Sequence, residues 1–211
     1  MEMVLLSVLF ATAVFQLSAG SARPDIDLYH NLMQNYSRKF QPDPFNATTV
    51  TIEIAVVGIT DVTEKAETVA LKQYITMKWT DARLAWNPEQ YSGLKRLRLP
   101  ANEIWMPKLA SPNINSQLDI VDPDDMEAII SSSGQVYWYG YQLVTIQCSL
   151  DVSQFPYDHQ MCTVRFMFLT RTKKDVKMIA VPKSNLMGSC ENATNPGTGP
   201  DFSLLSWKQF C

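Results

Sequence analysis

The sequence predicts an all-β protein built as a β-sandwich of about nine to ten strands, preceded by one short helix. Three observations carry this prediction. Apolar and polar residues alternate with a period of two along several segments. Turn-forming residues separate these segments at regular intervals. Only one stretch after the N-terminal apolar run has helical spacing. A chain of 211 residues is long enough for one all-β domain.

The helical stretch covers residues 25–36. Its apolar positions have the i, i+3, i+4, i+7 spacing of one helix face: Tyr29, Leu32, Met33 and Tyr36. Asp25 is predicted to cap the helix at its start. Pro42 and Pro44 prevent the helix from continuing much further.

Two long segments then alternate as half-buried strands do. Residues 49–56 place on one face Val50, Ile52, Ile54 and Val56. Residues 69–79 place on one face Leu71, Gln73, Ile75, Met77 and Trp79. Residues 128–139 predict a hairpin, in which Gly134 supplies the positive φ of the turn. Further strands are predicted at residues 141–148, 163–169, 175–181 and 202–210, with a Gly/Pro/Asn-rich loop at 189–200.

The N-terminus predicts a secretory signal peptide at residues 1–22 and a mature domain at residues 23–211. Residues 4–17 are nearly all apolar, and small residues follow at 18–22. This run is shorter than the roughly 20 apolar residues of a spanning helix. Because Glu2 is present and no Lys or Arg precedes the run, a short N-terminal helix of a cytosolic domain is the alternative.

Three glycosylation sequons agree with passage through the secretory pathway, at Asn35, Asn46 and Asn192. In that oxidising compartment the four cysteines are expected to form disulfides, and four cysteines allow three pairings. Proximity in sequence favours Cys148 with Cys162, and closing a loop of about 15 residues contributes roughly 3 kcal/mol. Cys190 and Cys211 are then left to pair, although nothing local forces that bridge.

Composition excludes several classes of function. The net charge of −3 gives no basic footprint for nucleic acid. No nucleophile motif, phosphate loop or metalloprotease motif occurs, so we expect no enzyme activity and no cofactor. An acidic run at residues 119–127 offers oxygen ligands for calcium but lacks regular spacing, and His30 and His159 lack zinc-ligand spacing. We therefore expect no metal site. A basic cluster after residue 170 is predicted to be a solvated strand end, with contact to an anionic ligand or lipid headgroups as the alternative: Arg171, Lys173, Lys174 and Lys177.

Four motifs in order resemble one receptor family. Thirteen residues separate Cys148 from Cys162, and they include Phe155-Pro156-Tyr157-Asp158. The other motifs are Trp79-Thr80-Asp81 with Leu84, Trp86 and Asn87; Ile104-Trp105-Met106-Pro107; and Ser132-Ser133-Gly134. This arrangement resembles the extracellular ligand-binding domain of the pentameric Cys-loop receptors, which include the nicotinic acetylcholine, serotonin type 3, GABA-A and glycine receptors. The resemblance implies an immunoglobulin-like β-sandwich and a neurotransmitter-binding function. It makes Trp79 and Trp105 core residues.

The resemblance also implies where a ligand binds. In this family a small-molecule ligand, often an amine, lies between two subunits of a homo- or hetero-pentamer. One subunit supplies loops A, B and C, and its neighbour supplies loops D and E. Tyr74 matches the loop D position, and Tyr137 and Tyr139 match loop E. Leu169 stands where amine-binding members carry the loop B tryptophan. Pro112 falls near the loop A tyrosine position, and Lys108 replaces the expected acid. The complementary face is therefore expected to keep its aromatics, whereas the principal face lacks two.

The same resemblance assigns Phe155, Pro156, Tyr157 and Asp158 to a loop that carries the binding signal to a membrane domain. Residues 201–205 resemble the family's ninth strand, so we expect a domain truncated before the last strand and incomplete at loop C and the tenth strand. Three hypotheses follow. The chain is the extracellular region of a channel subunit, a secreted ligand-binding protein, or a non-binding subunit that assembles with full-length subunits and modulates them.

Overall fold

The fold is described from a computed structural model of the chain. The described residues are 23–120, 126–153, 157, 160–169, 171–172, 174–182 and 204–210. At 161, 182 and 204–210 the backbone alone is described. The predicted signal peptide at 1–22 lies outside this part of the chain.

The N-terminal helix, α1, covers Pro24–Met33 and buries Leu28. The prediction that Asp25 caps it is wrong, because Arg23 occupies the cap position and Pro24 starts the first turn. Asp25 instead accepts a hydrogen bond from Arg23, with Nη2 and Oδ2 separated by 2.6 Å, and this bond lowers the pKa of Asp25 to about 2. The helix also ends three residues before the predicted position at Tyr36. There the chain turns, and the Tyr36 hydroxyl donates to Asp81.

The rest of the described chain contains ten strands. They are β1 (Thr48–Thr63), β2 (Thr68–Thr80), β3 (Arg96–Pro100), β4 (Leu109–Ala110), β5 (Ile114–Asp119), β6 (Glu127–Ser131), β7 (Gln135–Gln147), β8 (Met161–Phe168), β9 (Val176–Pro182) and β10 (Leu204–Phe210). Short 3-10 turns lie at Ala82–Leu84, Pro88–Tyr91 and Ala101–Glu103.

The strands form two sheets. The larger has the order β3-β6-β7-β2-β1-β9, with β5 also paired to β7, and the smaller has the order β10-β8-β4. The β1–β9 pair is parallel, and the other pairs between described strands are antiparallel. This arrangement confirms the predicted all-β, immunoglobulin-like sandwich with one short helix.

Strand β1 is longer than the predicted segment at 49–56. The alternation of Val50, Ile52, Ile54 and Val56 is confirmed, since all four are buried. Beyond them the pairing with β2 shifts between Val56 and Gly58 and again between Ile59 and Asp61. Such irregularities break the period of two, which is why the sequence pattern did not reveal the second half of the strand.

Strand β7 is one continuous strand, so the prediction of separate strands at 136–139 and 141–148 is wrong. Gly140, which lies between the two predicted segments, is inside the strand, and the ring of Trp138 occupies the space where a Cβ on Gly140 would be, at 2.4 Å. The preceding turn contains Gly134 with a φ of 79°, as predicted.

Between the sheets, the alternating residues of both sheets form one hydrophobic core. Ile52, Leu71 and Val144 come from the larger sheet, and Val164 and Phe166 from the smaller. Trp79 and Trp105 are 2% and 4% exposed, which confirms them as core residues. Their rings meet edge to face, with centroids 6.0 Å apart.

Candidate functional site

Strands β2 and β7 place four tyrosines on the face of the larger sheet that points away from the core. We call Tyr74, Tyr137, Tyr139 and Tyr141 the outer tyrosine face. Because side chains alternate along a strand, the outward residues lie between buried ones such as Ile75. The antiparallel register pairs Tyr74 with Tyr141, Thr76 with Tyr139 and Lys78 with Tyr137. The predicted loop D and loop E residues therefore share one surface.

Tyr141 is a member of this face that sequence reasoning missed. Its ring stacks on that of Tyr74, with centroids 4.4 Å apart and planes 19° apart. Such offset stacking contributes about 0.5–1.5 kcal/mol beyond the buried area. Tyr74 is 42% exposed and Tyr139 50% exposed, so both rings remain open to a ligand. The stack holds the Tyr74 ring in one orientation at the loop D position.

A positive charge already lies on the outer tyrosine face. The Lys78 ammonium is 5.2 Å from the centroid of the Tyr137 ring, within the range of a cation–π contact. The Tyr137 hydroxyl donates to Gln135 Oε1, which steadies the ring. A cavity of about 230 Å³ next to this contact is lined by Thr51, Glu53, Thr76, Lys78, Tyr137 and Tyr139. Aromatic faces and one carboxylate are groups that bind small cations.

Leu169, the predicted loop B residue, lies on the other side of the sheet. Its backbone N–H donates to the carbonyl oxygen of Lys108 at 3.0 Å, and its side chain is 52% exposed. A cavity of about 420 Å³ joins Leu169 to Ile75 and Trp138, whose side chains project from the inner face of β2 and β7. The structure therefore brings Leu169 to the loop A segment and separates it from the outer tyrosine face of the same chain.

Loop A is attached to loop B by strand pairing. Leu109 and Ala110 of β4 pair with Phe168 and Met167 of β8. Asn113 extends this connection, since its Oδ1 accepts from the backbone N–H of Arg165 at 3.0 Å. Lys108 and Leu169 therefore lie next to each other. Neither of these two predicted site positions carries an aromatic side chain.

A buried polar network joins α1, the Trp-Thr-Asp motif and loop A. Asp81 is fully buried, and its carboxylate accepts from Arg83 at 2.7 Å and from the Tyr36 hydroxyl at 2.8 Å. The Tyr36 oxygen accepts from the backbone N–H of Trp105 at 2.9 Å. Burial raises the pKa of the Tyr36 hydroxyl. This network fixes the start of loop A, and sequence reasoning did not identify Tyr36 or Arg83 as its members.

The Trp-Thr-Asp motif also meets the hairpin turn before β7. The backbone N–H of Asp81 donates to the carbonyl oxygen of Gly134 at 2.8 Å. A Cβ on Gly134 would lie 2.5 Å from the Asp81 carbonyl oxygen, so only glycine fits there. The two motifs quoted from the sequence are therefore in direct contact.

A second buried polar pair lies directly behind the stacked tyrosines. Gln73 is 1% exposed, and its Nε2 donates to Gln142 Oε1 at 3.4 Å. Gln142 Nε2 in turn donates to Asp119 Oδ1 at 2.7 Å. The predicted inward position of Gln73 is confirmed, and its amide joins β2 to β7 and onward to β5.

Cys148 and Cys162 form a disulfide, with Cα atoms 5.2 Å apart. The bond closes the loop between β7 and β8. Inside the loop, the backbone N–H of Asp151 donates to Gln160 Oε1 and Gln160 Nε2 donates to the Asp151 carbonyl, each at 2.9 Å. Tyr157 is 83% exposed. The other predicted loop residues, Phe155, Pro156 and Asp158, lie outside the described residues.

Some predicted modification sites can be located. Asn35 and Asn46 are exposed, as glycan attachment requires. Asn192, Cys190 and Cys211 lie outside the described residues. Asn35 and Asn46 stay predictions as glycosylation sites.

Within the described residues, no group of three or more His, Cys, Asp or Glu side chains is placed to hold a metal ion. No helix among them has the length and apolar character needed to cross a bilayer.

Comparison with known proteins gives the same assignment as the motifs. Residues 25–205 match the model of the neurotransmitter-gated ion-channel ligand binding domain family. Acetylcholine receptor subunit epsilon of Rattus norvegicus is 29% identical over 182 residues, which cover 85% of this chain and 36% of that protein. Neuronal acetylcholine receptor subunit alpha-9-II of Oncorhynchus mykiss is 33% identical over 162 residues, covering 75% of this chain and 29% of that protein. Neuronal acetylcholine receptor subunit alpha-6 of Rattus norvegicus is 28% identical over 171 residues, which cover 80% of this chain and 34% of that protein.

The chain spans about a third of the length of these relatives. The match nevertheless covers nearly all of the sandwich, from α1 to the start of β10. The family consists of ligand-gated ion channel receptors and not of enzymes. The chain belongs to the neurotransmitter-gated ion-channel ligand-binding domain family.

Proposed function

We propose that this chain is the extracellular neurotransmitter-binding region of a pentameric ligand-gated ion channel subunit, and that it supplies the complementary face of a ligand site between subunits. The observation that carries the proposal is the Lys78–Tyr137 contact at 5.2 Å. It supports the proposal, because an ammonium group lies within cation–π range of a ring on the outer tyrosine face, as an amine ligand would.

The arrangement of the face supports a site shared between two chains. The tyrosines project from one side of the sheet, and Leu169 lies with the residues that project from the other. A ligand on the outer tyrosine face of one chain would therefore be completed by loops A and B of a neighbouring chain. Because loops A and B of this chain lack their aromatic residues, the neighbour that completes an amine site is a subunit that carries them.

The loop between Cys148 and Cys162 supports a coupling role when the domain is joined to a membrane domain. The disulfide and the Asp151–Gln160 hydrogen bonds close its base. An exposed aromatic such as Tyr157 is suited to packing against another domain. In this proposal Phe155, Pro156, Tyr157 and Asp158 transmit binding, residues 1–22 direct the chain into the secretory pathway, and the domain lies on the extracellular side of the plasma membrane.

The test is co-expression of the chain with a full-length subunit that carries the loop A and loop B aromatics. We expect the two to co-purify through a tag on this chain. We also expect the assembly to bind tetramethylammonium, while the chain alone binds it weakly. Amine binding by the chain alone would favour the secreted ligand-binding protein. Failure to co-purify, together with no amine binding, would contradict the proposal.

Lys78 offers a sharper version of the test, because it competes with the ligand for the aromatic face. Lys78→Gln should raise the tetramethylammonium affinity of the assembly by about twofold to fivefold, the equivalent of one exposed cation–π contact. Lys72→Gln removes the same charge from the same strand, at a position that pairs with Gly58 and Leu143. This control should change the affinity less than twofold (about 0.4 kcal/mol).

A non-binding modulatory subunit is the second candidate, and Leu169 beside Lys108 favours it. It predicts an assembly that co-purifies but whose amine affinity is unaffected by changes in the outer tyrosine face.

A further inference from the structure

A cavity at the end of β8 is strongly basic. It has a volume of about 540 Å³ and lies between the segment after α1, the loop that follows Ala101–Glu103 and the end of β8. Among its described lining residues none is acidic, and four are positively charged: Arg38, Lys39, Lys108 and Arg171. We call this the basic cavity.

Neutral groups hold the two arginines in place. Arg38 donates to the carbonyl oxygen of Asn102, and Arg171 Nη1 donates to Gln41 Oε1 at 3.3 Å. Neutral acceptors orient a guanidinium group without cancelling its charge. Among the described residues three ion pairs occur, and none of them includes a residue of the basic cavity.

One carboxylate approaches this region without lining the cavity. Asp175 accepts from the Thr172 backbone N–H at 3.0 Å and from the Thr172 hydroxyl at 2.9 Å. These hydrogen bonds lower the pKa of Asp175, and the charge of Arg171 lowers it less. Asp175 therefore offsets part of the Arg171 charge from outside the cavity lining. No ion pair between described residues includes Arg38, Lys39 or Lys108, so their charges can attract a bound anion.

The wall of the basic cavity is apolar. Ile104, Trp105 and Phe168 are buried and line it together with Leu169. A cavity lined by both charged and apolar side chains fits a ligand that carries a charged group and an apolar body. Inorganic anions would use only the charged part.

We propose that the basic cavity binds a small organic carboxylate that carries a compact apolar body. The carboxylate would accept from Arg171 and Lys108, and the apolar part would contact Leu169 and Trp105. An amine would be repelled here by four positive charges, and Leu169 provides no aromatic face for it. The proposal does not depend on the outer tyrosine face, since the two sites share no lining residue.

The experiment is calorimetric titration of the secreted chain with benzoate, with benzamide as the neutral molecule of the same shape, at constant ionic strength. We expect saturable benzoate binding and much weaker benzamide binding. The double variant Lys108→Gln and Arg171→Gln should weaken benzoate binding by about a hundredfold, the loss expected for two charged hydrogen bonds.

The matched control is the double variant Lys95→Gln and Arg96→Gln. It removes the same charge at two exposed positions that do not line the basic cavity. It should change benzoate affinity by less than about twofold. Equal weakening by both double variants would mean a general charge effect and would overturn the proposal. Absence of saturable benzoate binding, or equal binding of benzamide, would overturn it as well.

A second measurement tests the proposal even if the double variant Lys108→Gln and Arg171→Gln does not fold. In the unaltered chain, the side-chain Nε–H NMR signal of Arg171 should shift on benzoate addition, and that of Arg98 should not. Arg98 is suitable because it pairs with Glu127 at 3.3 Å outside the basic cavity. Unchanged Arg171 signals at saturating benzoate would contradict the proposed site.

Discussion

The outer tyrosine face and the basic cavity lie in one sandwich and have opposite preferences for charge. The tyrosine face is built on two paired strands, and an ammonium group already lies 5.2 Å from one of its rings. The basic cavity is built on loops and strand ends, and it presents four cations around an apolar wall. A cation is favoured on the first surface, and an anion on the second. In the proposed function, the complementary half of the interface site keeps its aromatic side chains, and the other half has changed its chemistry.

The supporting structure explains why the two halves differ. Tyr74 and Tyr141 are fixed by strand register and by stacking on each other. Positions such as Lys108 and Leu169 sit at the ends of short pairings, where a substitution changes the surface without disturbing the core. Loops accept such changes more readily than paired strands do.

The largest expected effect comes from breaking the scaffold on which both regions depend. Asp81→Ala removes the acceptor of Arg83 and Tyr36 and leaves the Arg83 charge without its partner. We expect the free energy of unfolding to fall by about 3–5 kcal/mol, as for other buried ion pairs. Chemical denaturation measures this directly.

The control for Asp81→Ala is the exposed pair of Arg98 and Glu127 at 3.3 Å. Arg98→Gln should lower the free energy of unfolding by less than about 1 kcal/mol. Equal losses for the two variants would show that the Asp81 network does not organise the domain.

Gly134 provides the next test, because its turn leads into the strand that carries three of the tyrosines. In Gly134→Ala the alanine would have a positive φ, and its Cβ would lie 2.5 Å from the Asp81 carbonyl oxygen. We expect a loss of about 3 kcal/mol in unfolding free energy. Gly93 has a similar φ of 81° and no atom within 4 Å of its Cβ position. Gly93→Ala should therefore lower the unfolding free energy by only about 1–2 kcal/mol. Thermal melts of the two variants measure the difference, and a greater loss for Gly93→Ala than for Gly134→Ala would contradict the prediction.

The contrast between the two surfaces can be reduced by restoring an aromatic at loop B. Leu169→Trp, in an assembly whose neighbouring chain presents the outer tyrosine face, should raise tetramethylammonium affinity by about twofold to thirtyfold. Leu118→Trp is a control at another exposed position, with 62% exposure. Titration of both variants checks the prediction, and an equal gain from Leu118→Trp would indicate nonspecific aromatic binding.

The smallest effect is a change in pH dependence. Burial raises the pKa of Tyr36. A group whose folded pKa is raised contributes stability that is complete below its unfolded pKa, about 10 for tyrosine, and is lost as pH rises above it. Tyr36→Phe should lower the unfolding free energy by about 1–2 kcal/mol at pH 8. The difference in unfolding free energy between Tyr36→Phe and the unaltered chain should decrease from about pH 10 upward. A gap that stays constant between about pH 8 and pH 12 would contradict the buried position of the hydroxyl.

Period-two patterning predicted what depends on one strand alone. The inward positions of β2, including Gln73, and the shared face of Tyr137 and Tyr139 follow from alternation without knowledge of neighbours. The positive φ of Gly134 is equally local.

Contacts between distant segments could not be read in this way. The stacking of Tyr141 on Tyr74 requires the register of two strands far apart in sequence. The roles of Tyr36 and Arg83 depend on where the end of α1 meets the turn after β2. The continuity of β7 through Gly140 likewise depends on a contact, since the absence of a Cβ there makes room for the ring of Trp138.

The most direct test of the account compares Tyr139→Ala with Leu169→Ala in this chain, each assembled with a full-length subunit that carries the loop A and loop B aromatics. Tetramethylammonium affinity is the measurement. The account predicts that Tyr139→Ala weakens binding by about tenfold while Leu169→Ala changes it less than twofold. Loss of binding with Leu169→Ala and none with Tyr139→Ala would place this chain on the opposite side of the site and contradict the account.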